Sequence, residues 1–118
     1  MQKDFDDIVV ELRRFAEERD WDQFHSPKNL AMATAVEAAE LLEHFQWLTE
    51  EQSKNLKSEK LAKVAEEIAD IQVYLIRLAD KLGVDIMESV RAKIKLNAAK
   101  YPADKVRGDA RKYSEYPS

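Results

Sequence analysis

A run of apolar residues at alternating three- and four-residue intervals constrains the fold of this chain more than any other feature. Its members are Leu61, Val64, Ile68, Ile71, Leu75, Leu78 and Leu82, and Gly83 then supplies a stop. This spacing places one apolar face along an unbroken helix. Because such a face has to be buried against other elements, the sequence predicts a long helix that packs among further helices.

Three further helices are predicted on either side of this one. The four expected helices cover about residues 4–19, 27–47, 61–82 and 85–101, with a short helical turn starting at Thr49. Ser26-Pro27 is typical of an N-cap followed by proline at the first helical position. Thr49 and Gln52 have the spacing of a capping box, and Asp85 with Glu88 is expected to open the last helix. Together these signals predict a four-helix bundle.

Composition agrees with an all-α fold. Of 118 residues only two are glycine and three are proline, so most of the chain lacks turn signals. We expect a single domain over residues 1–118, with an irregular C-terminal arm over about residues 103–118. The absence of cysteine excludes disulfides and thiolate metal sites. No signal peptide is visible and no apolar run approaches the roughly 20 residues of a membrane span, so a cytoplasmic protein with no membrane partner is expected.

Charge is distributed unevenly along the chain. Residues 1–90 carry 11 Lys and Arg against 20 Asp and Glu, whereas residues 91–118 carry 8 against 3. An acidic body with a basic C-terminal end is unsuited to polymeric nucleic acid. It suits a small anionic ligand that arrives with metal ions, although two solvated faces of opposite sign would produce the same pattern.

Two acidic pairs, Glu37-x-x-Glu40 and Glu67-x-x-Asp70, lie within otherwise apolar helices. Residues three apart on a helix are neighbours, and like charges repel strongly where water is scarce. On a helical projection both pairs lie on the same flank of the apolar stripe, so the four carboxylates converge if the two helices pack together. Carboxylate oxygen is a hard ligand, and the pattern therefore predicts a site for Mg²⁺, with Mn²⁺ as the other possibility.

Other interpretations of these acids stay open at this point. Each pair is also compatible with solvated carboxylates at the edge of an amphipathic helix. A di-iron carboxylate site is disfavoured, because that chemistry uses Glu-x-x-His on two helices and neither His25 nor His44 has this spacing.

The last predicted helix carries a polar row. Lys93, Asn97 and Lys100 fall at i, i+4 and i+7, on one face, with Tyr101 adjacent. Two ammonium groups and an amide in line can hold a polyphosphate. Lysines on a solvated helix face are common, so the row indicates phosphate binding only in combination with a metal site.

The chain resembles a known family through three segments and a loop. The segments are Glu37-Ala-Ala-Glu40-Leu-Leu-Glu43-His-Phe-Gln-Trp47, Glu66-Glu67-Ile-Ala-Asp70-Ile-Gln-Val-Tyr-Leu and Lys93-x-x-x-Asn97-x-x-Lys100-Tyr101-Pro102. They are similar to the all-α nucleoside triphosphate pyrophosphohydrolases of the MazG-like superfamily. The loop from Glu18 to Leu30, and Arg111-Lys112-Tyr113 in the tail, resemble the dCTP pyrophosphatase branch. The likeness extends from about Phe15 to Tyr113.

This resemblance implies a reaction and a set of site residues. Members of the family cut between the α and β phosphates of a nucleoside triphosphate, here expected to be dCTP or a 5-modified dCTP. The implied residues are Glu37, Glu40, Glu67 and Asp70 as metal ligands; Lys93, Asn97, Lys100 and Tyr101 for phosphate and sugar; and Trp21, His25 and Trp47 for the base. Glu40 and Glu43 are the candidates for the catalytic base. The chain departs from the family's vertebrate members at Leu12, where they carry histidine, which affects the expected base preference.

The resemblance also implies a homo-oligomer, commonly a tetramer built from dimers, in which neighbouring chains complete each site. Two alternatives remain: a related hydrolase acting on dUTP or phosphoribosyl-ATP, and a non-catalytic helical oligomerisation module. For individual residues, Trp47 could instead close the end of the second helix, and His25 could be a loop histidine.

Overall fold

The computed structural model describes residues 2–110 and residue 114. The helices are α1 (Gln2–Glu18), α2 (Pro27–Glu43), α3 (Glu50–Ser53), α4 (Ser58–Leu82), α5 (Ile86–Lys100) and α6 (Ala103–Val106), with a 3₁₀ turn at Asp22–Phe24. The described residues contain no strand, which confirms the expected all-α class. Within the same residues no helix combines the length and apolarity needed to cross a bilayer.

Local capping explains where the helices begin and end. The Ser26 hydroxyl accepts a hydrogen bond from the backbone N–H of Asn29, and Pro27 follows at the first helical position. Thr49 and Gln52 form both hydrogen bonds of a capping box at α3. These contacts satisfy N–H groups that a helix start leaves without an intrahelical partner.

The C-terminal end of α4 and the N-terminal end of α5 have the caps that the sequence predicts. Gly83 ends α4 in the left-handed conformation, with φ of 69°. The carboxylate of Asp85 then accepts a hydrogen bond from the backbone N–H of Glu88 at the start of α5. A residue without a β-carbon enters the left-handed region at little cost, and this is why the long helix stops at Gly83.

The structure divides into two compact units, and the first extends to Val84. In this unit α4 packs mainly against α2 and also against α1. Among the described residues, its buried apolar side chains are those of Ala16, Leu30, Val64, Ile76 and Ala79. The α2–α4 contact therefore brings the two acidic segments of the sequence side by side.

The second unit starts at Asp85 and contains α5 and α6. All residues of α5 from Glu88 to Lys100 are exposed, including Val90, Ile94 and Leu96. The short helix α6 falls within the arm that was expected to be irregular. The motif Arg111-Lys112-Tyr113 lies outside the described residues.

Two helix bounds differ from the expectation. α2 ends at Glu43 rather than near Trp47, and residues 44–47 form hydrogen-bonded turns such as the one from Gln46 N–H to the Leu42 carbonyl, 2.9 Å. α4 begins at Ser58, three residues before the first apolar residue of the repeat. Neither difference alters which faces of α2 and α4 meet.

Candidate active site

Three carboxylates from two helices converge in the first unit. Glu37 of α2 and Glu67 and Asp70 of α4 each place one carboxylate oxygen within 4.8 Å of the others. Glu37 and Glu67 are half-buried and Asp70 is exposed. The packing of α2 against α4 creates this group, since the sequence places the acids on the same flank of both apolar stripes. We call these three residues the acidic cluster.

The acidic cluster has the properties expected of a cation site. One carboxylate oxygen of Glu37 and one of Glu67, each an Oε2, are buried and have no hydrogen-bond partner. Burial raises the pKa of Glu37 to about 7, and the neighbouring Glu40 and Glu67 carboxylates add to this shift. A buried acceptor without a donor is costly, and a divalent cation would satisfy both oxygens at once. The residues present therefore fit a hard metal ion.

Three further polar residues belong to the C-terminal half of α2 and its cap: Glu40, Glu43 and His44. Glu40 is half-buried and close enough to raise the pKa of Glu37, but among the described residues the convergent group is made without it. Glu43 is exposed at the last position of α2. The Nε2 atom of His44 lies 3.8 Å from Oε1 of Glu67, which adds a polar link between the end of α2 and α4.

An apolar pocket adjoins the acidic cluster and shares Asp70 with it. The pocket has a volume of about 120 Å³, whereas a single water needs roughly 10–15 Å³ on the same measure, so it can admit a group of several atoms. Its lining consists of Leu12, Phe15, Ala16, Trp21, His25, Asp70, Val73, Tyr74 and Arg77. Two of the three base-binding residues expected from the resemblance, Trp21 and His25, thus lie beside the acidic cluster. The third, Trp47, is 86% exposed and is not part of this lining.

Local contacts orient the aromatic wall of the pocket. The rings of Phe15 and Trp21 meet edge to face with centroids 5.7 Å apart. The Arg19 guanidinium lies over the Phe15 ring, 3.6 Å from its centroid. The backbone N–H of Trp21 donates to the Ala16 carbonyl at 2.9 Å, which fixes the loop directly after α1. The His25 ring centroid lies 6.4 Å from that of Trp21.

His25 is prepared to act as a neutral hydrogen-bonding group. Its Nδ1 atom is buried without a hydrogen-bond partner. Burial lowers the pKa of His25, and the nearby positive charge of Arg77 lowers it further. The imidazole therefore favours its neutral form at neutral pH.

Arg77 is a pocket residue that sequence reasoning missed. Its side chain is 3% exposed, with Nη2 2.6 Å from Oδ1 of Asp22 and Nη1 3.4 Å from Oδ2 of Asp80. Two further ion pairs adjoin these: Nζ of Lys81 lies 2.9 Å from Oδ1 of Asp22, and Nη2 of Arg13 lies 2.7 Å from Oδ1 of Asp80. The available signal was its position seven residues after Asp70, on the same face of α4.

The expected phosphate-binding residues belong to the second unit. Lys93, Asn97 and Lys100 are exposed along α5, and the backbone N–H of Tyr101 donates to the Asn97 carbonyl at 2.8 Å. The helical spacing that places the three polar side chains on one face is therefore present in the structure.

Comparison with known proteins identifies the class. The MazG-like family matches residues 32–116, and the chain belongs to this family. Among its relatives are dCTP pyrophosphatase 1 of Homo sapiens and of Bos taurus, each 41% identical over 105 residues. These alignments cover 87% of this chain and 62% of each relative, so the chain spans less than two thirds of their length. A solved pyrophosphatase structure from Archaeoglobus fulgidus is 38% identical with a TM-score of 0.78, covering 82% of this chain and 91% of that one.

Proposed function

We propose that this protein is a Mg²⁺-dependent nucleoside triphosphate pyrophosphohydrolase that cuts the α–β phosphate bond of dCTP or a 5-modified dCTP. The observation that carries the proposal is the junction of two features at Asp70: three convergent carboxylates and an apolar pocket with a tryptophan wall. One feature suits a metal-bound triphosphate and the other suits a nucleobase. The names of the relatives support the same reaction class and the same nucleotide.

The proposed roles follow from the chemistry of each group. Glu37, Glu40, Glu67 and Asp70 are the proposed metal ligands, and three of them, Glu37, Glu67 and Asp70, converge in the structure. A bound Mg²⁺ or Mn²⁺ would supply positive charge to the triphosphate and would make the attacking water more acidic. Glu40 or Glu43 accepts the proton of the attacking water. The water oxygen bonds to the α-phosphorus as the bond to the bridging oxygen breaks, which yields the monophosphate and pyrophosphate.

The remaining residues bind rather than react. Trp21 stacks on the base, a contact typically worth about 1–3 kcal/mol, and His25 offers the base a hydrogen bond. Trp47 is proposed as a further base contact on the resemblance alone. Lys93, Asn97, Lys100 and Tyr101 are proposed phosphate and sugar ligands on the basis of charge and hydrogen-bonding capacity.

We further propose that the active form is a homo-oligomer, a tetramer arranged as a dimer of dimers, that works on the cytoplasmic nucleotide pool. The four apolar residues Leu61, Ile68, Leu75 and Leu82, at seven-residue intervals on α4, are 55%, 50%, 36% and 57% exposed in the single chain. Exposed apolar surface of this regularity favours burial against a second copy.

Product analysis by phosphorus NMR tests the reaction class and the substrate together. The protein is incubated with Mg²⁺ and each of dCTP, 5-methyl-dCTP, dUTP, dTTP, dATP and dGTP. The proposal predicts monophosphate plus pyrophosphate, formed fastest from the two cytidine nucleotides. Preference for dUTP would assign the chain to a related hydrolase. Absence of turnover on every nucleotide, from folded protein with metal present, would contradict the proposal and favour an oligomerisation module.

A further inference from the structure

Arg77 separates two cavities of opposite character. On one side lies the apolar pocket described above, and on the other lies a charged groove of about 350 Å³ lined by Arg13, Glu17, Asp22, Arg77, Asp80 and Lys81. Among the described residues, Arg77 alone belongs to both linings. A side chain that is 3% exposed and borders two cavities can present different atoms to each.

The carboxylates that bind Arg77 are all on the charged side. Its Nη2 donates to Asp22 and its Nη1 to Asp80, and both aspartates line the charged groove and not the apolar pocket. These bonds hold the two terminal nitrogens toward the groove. The third nitrogen, Nε, is buried and has no hydrogen-bond partner.

An arginine has five N–H donors and no acceptor, so the unpartnered Nε–H requires an acceptor. A buried donor left without one is destabilising. Leu12, Phe15, Ala16 and Val73 contribute apolar walls and cannot supply it, and the polar lining residues His25, Asp70 and Tyr74 do not accept from the Nε–H in this structure. A ligand in the pocket can, provided that its buried edge carries an oxygen or an aromatic nitrogen.

We propose that Arg77 is the residue that reads the base, donating its Nε–H to an acceptor on the O2–N3 edge of a pyrimidine held against Trp21. This inference rests on the proposed function, which places a nucleobase in this pocket. Arg77 is then a binding residue, and the ion pairs with Asp22 and Asp80 position it. Nothing in the role requires Arg77 to touch the phosphates.

A contact between Arg77 and the base should affect KM rather than kcat. A contact made equally in the bound substrate and in the transition state changes KM and leaves kcat nearly constant. Its loss affects only substrates that carry a base. By contrast, a purely structural Arg77 would alter turnover of every triphosphate alike.

The test compares dCTP with 1,2-dideoxyribose 5-triphosphate, which has the same sugar phosphate and no base. Arg77→Met and Arg77→Lys are assayed with Mg²⁺, and Arg77→Lys keeps a cation for the two aspartates if Arg77→Met fails to fold. Arg13→Met is the matched control, since it removes another ion pair to Asp80 and lies outside the pocket. Circular dichroism verifies the fold of each variant.

We expect both Arg77 variants to raise KM for dCTP at least about tenfold, with kcat and the rate on the base-free triphosphate within about threefold of wild type. Arg13→Met should keep the wild-type preference for dCTP over the base-free compound. Arg77→Lys with that preference intact would overturn the inference. If wild type hydrolyses neither compound, the proposed function fails, and calorimetry with dCMP and 1,2-dideoxyribose 5-phosphate then tests the inference separately. Base-dependent binding by wild type that is lost in Arg77→Lys would support the inference. Equal binding of dCMP by wild type and Arg77→Lys would overturn it.

Discussion

Asp70 is the residue at which the two halves of the proposed site meet, because it belongs to the acidic cluster and to the pocket lining. We therefore predict that Asp70→Asn, and likewise Glu67→Gln, lowers kcat for dCTP at least about 100-fold. The amide replaces a charged ligand by a neutral one of the same shape, so the helices should remain folded. Steady-state kinetics with circular dichroism measures both effects.

Glu66→Gln provides the control for these variants. Glu66 is exposed, adjoins Glu67 in sequence and is not part of the acidic cluster. It should retain activity within about twofold of wild type. Equal activity of Asp70→Asn and Glu66→Gln would remove the metal assignment.

The ion pairs around Arg77 give a prediction about pH. A hydrogen bond from Arg13 and the charges of Arg13, Arg77 and Lys81 hold the pKa of Asp80 below the ordinary value of an aspartate. A carboxyl whose pKa is lower in the folded state stabilises the protein above the unfolded pKa, and this stabilisation is lost as pH falls through the folded pKa. Asp80→Asn should therefore lose about 1–2 kcal/mol of unfolding free energy at pH 7.

Urea unfolding at several pH values measures this difference. The free energies of wild type and Asp80→Asn should begin to converge near the ordinary aspartate pKa of about 3.9 and meet below the lower pKa of the folded state. The control is Asp104→Asn, an exposed carboxylate on α6. A gap between wild type and Asp80→Asn that stays constant from pH 7 to the acid limit would show that the effect is not electrostatic.

At the residue scale, the sequence predicted the acidic cluster better than the pocket. The helical spacing of apolar and acidic residues alone predicted that Glu37, Glu67 and Asp70 lie on matching flanks of two helices. The sequence does not indicate that Arg77 is buried, because a single arginine in an apolar helix usually extends its charged end to water. Its burial depends on Asp22 and Asp80, one of them 55 positions away in the chain, and spacing does not reveal such partners.

At the level of the single helix, the stability of α4 depends on its C-terminal cap. Gly83 has φ of 69°, and a β-carbon added there would meet nothing within 4 Å. Gly83→Ala should therefore cost about 1 kcal/mol of unfolding free energy through backbone conformation alone, without a steric clash. Urea denaturation measures the change, and a variant as stable as wild type would show that the left-handed cap is dispensable.

The helix boundaries that were predicted well are those marked by a capping residue. Ser26, the Thr49–Gln52 pair, Gly83 and Asp85 each satisfy or terminate a helix end by a local interaction that the sequence reveals. α4 starts earlier than expected because Lys57, at its N-cap, makes no side-chain cap hydrogen bond and so leaves no signal. Helix α6 was missed because four residues are too few to establish a period.

At the scale of the whole molecule, the exposed apolar stripe on α4 leads to a prediction about assembly. A charge introduced at Leu75 would have to be buried in an interface that uses this stripe, which is strongly unfavourable. Leu75→Asp should therefore give a smaller species in light scattering and lose activity in parallel. Ala69→Asp is the control, because Ala69 is exposed on a different face of the same helix.

The two variants separate assembly from helix stability. Ala69→Asp should keep the wild-type mass and activity. A monomeric Leu75→Asp protein with full activity would contradict the proposal that neighbouring chains complete the site. The same mass for both variants would place the interface elsewhere.

In the proposed mechanism, water attacks the α-phosphorus of a triphosphate held at the acidic cluster. Its most direct test is hydrolysis of dCTP with Mg²⁺ in water enriched in oxygen-18, followed by phosphorus NMR of the products for wild type and Asp70→Asn. We predict the heavy oxygen in dCMP, none in pyrophosphate, and turnover reduced at least about 100-fold in the variant. Label in pyrophosphate, or undiminished turnover by Asp70→Asn, would contradict the account.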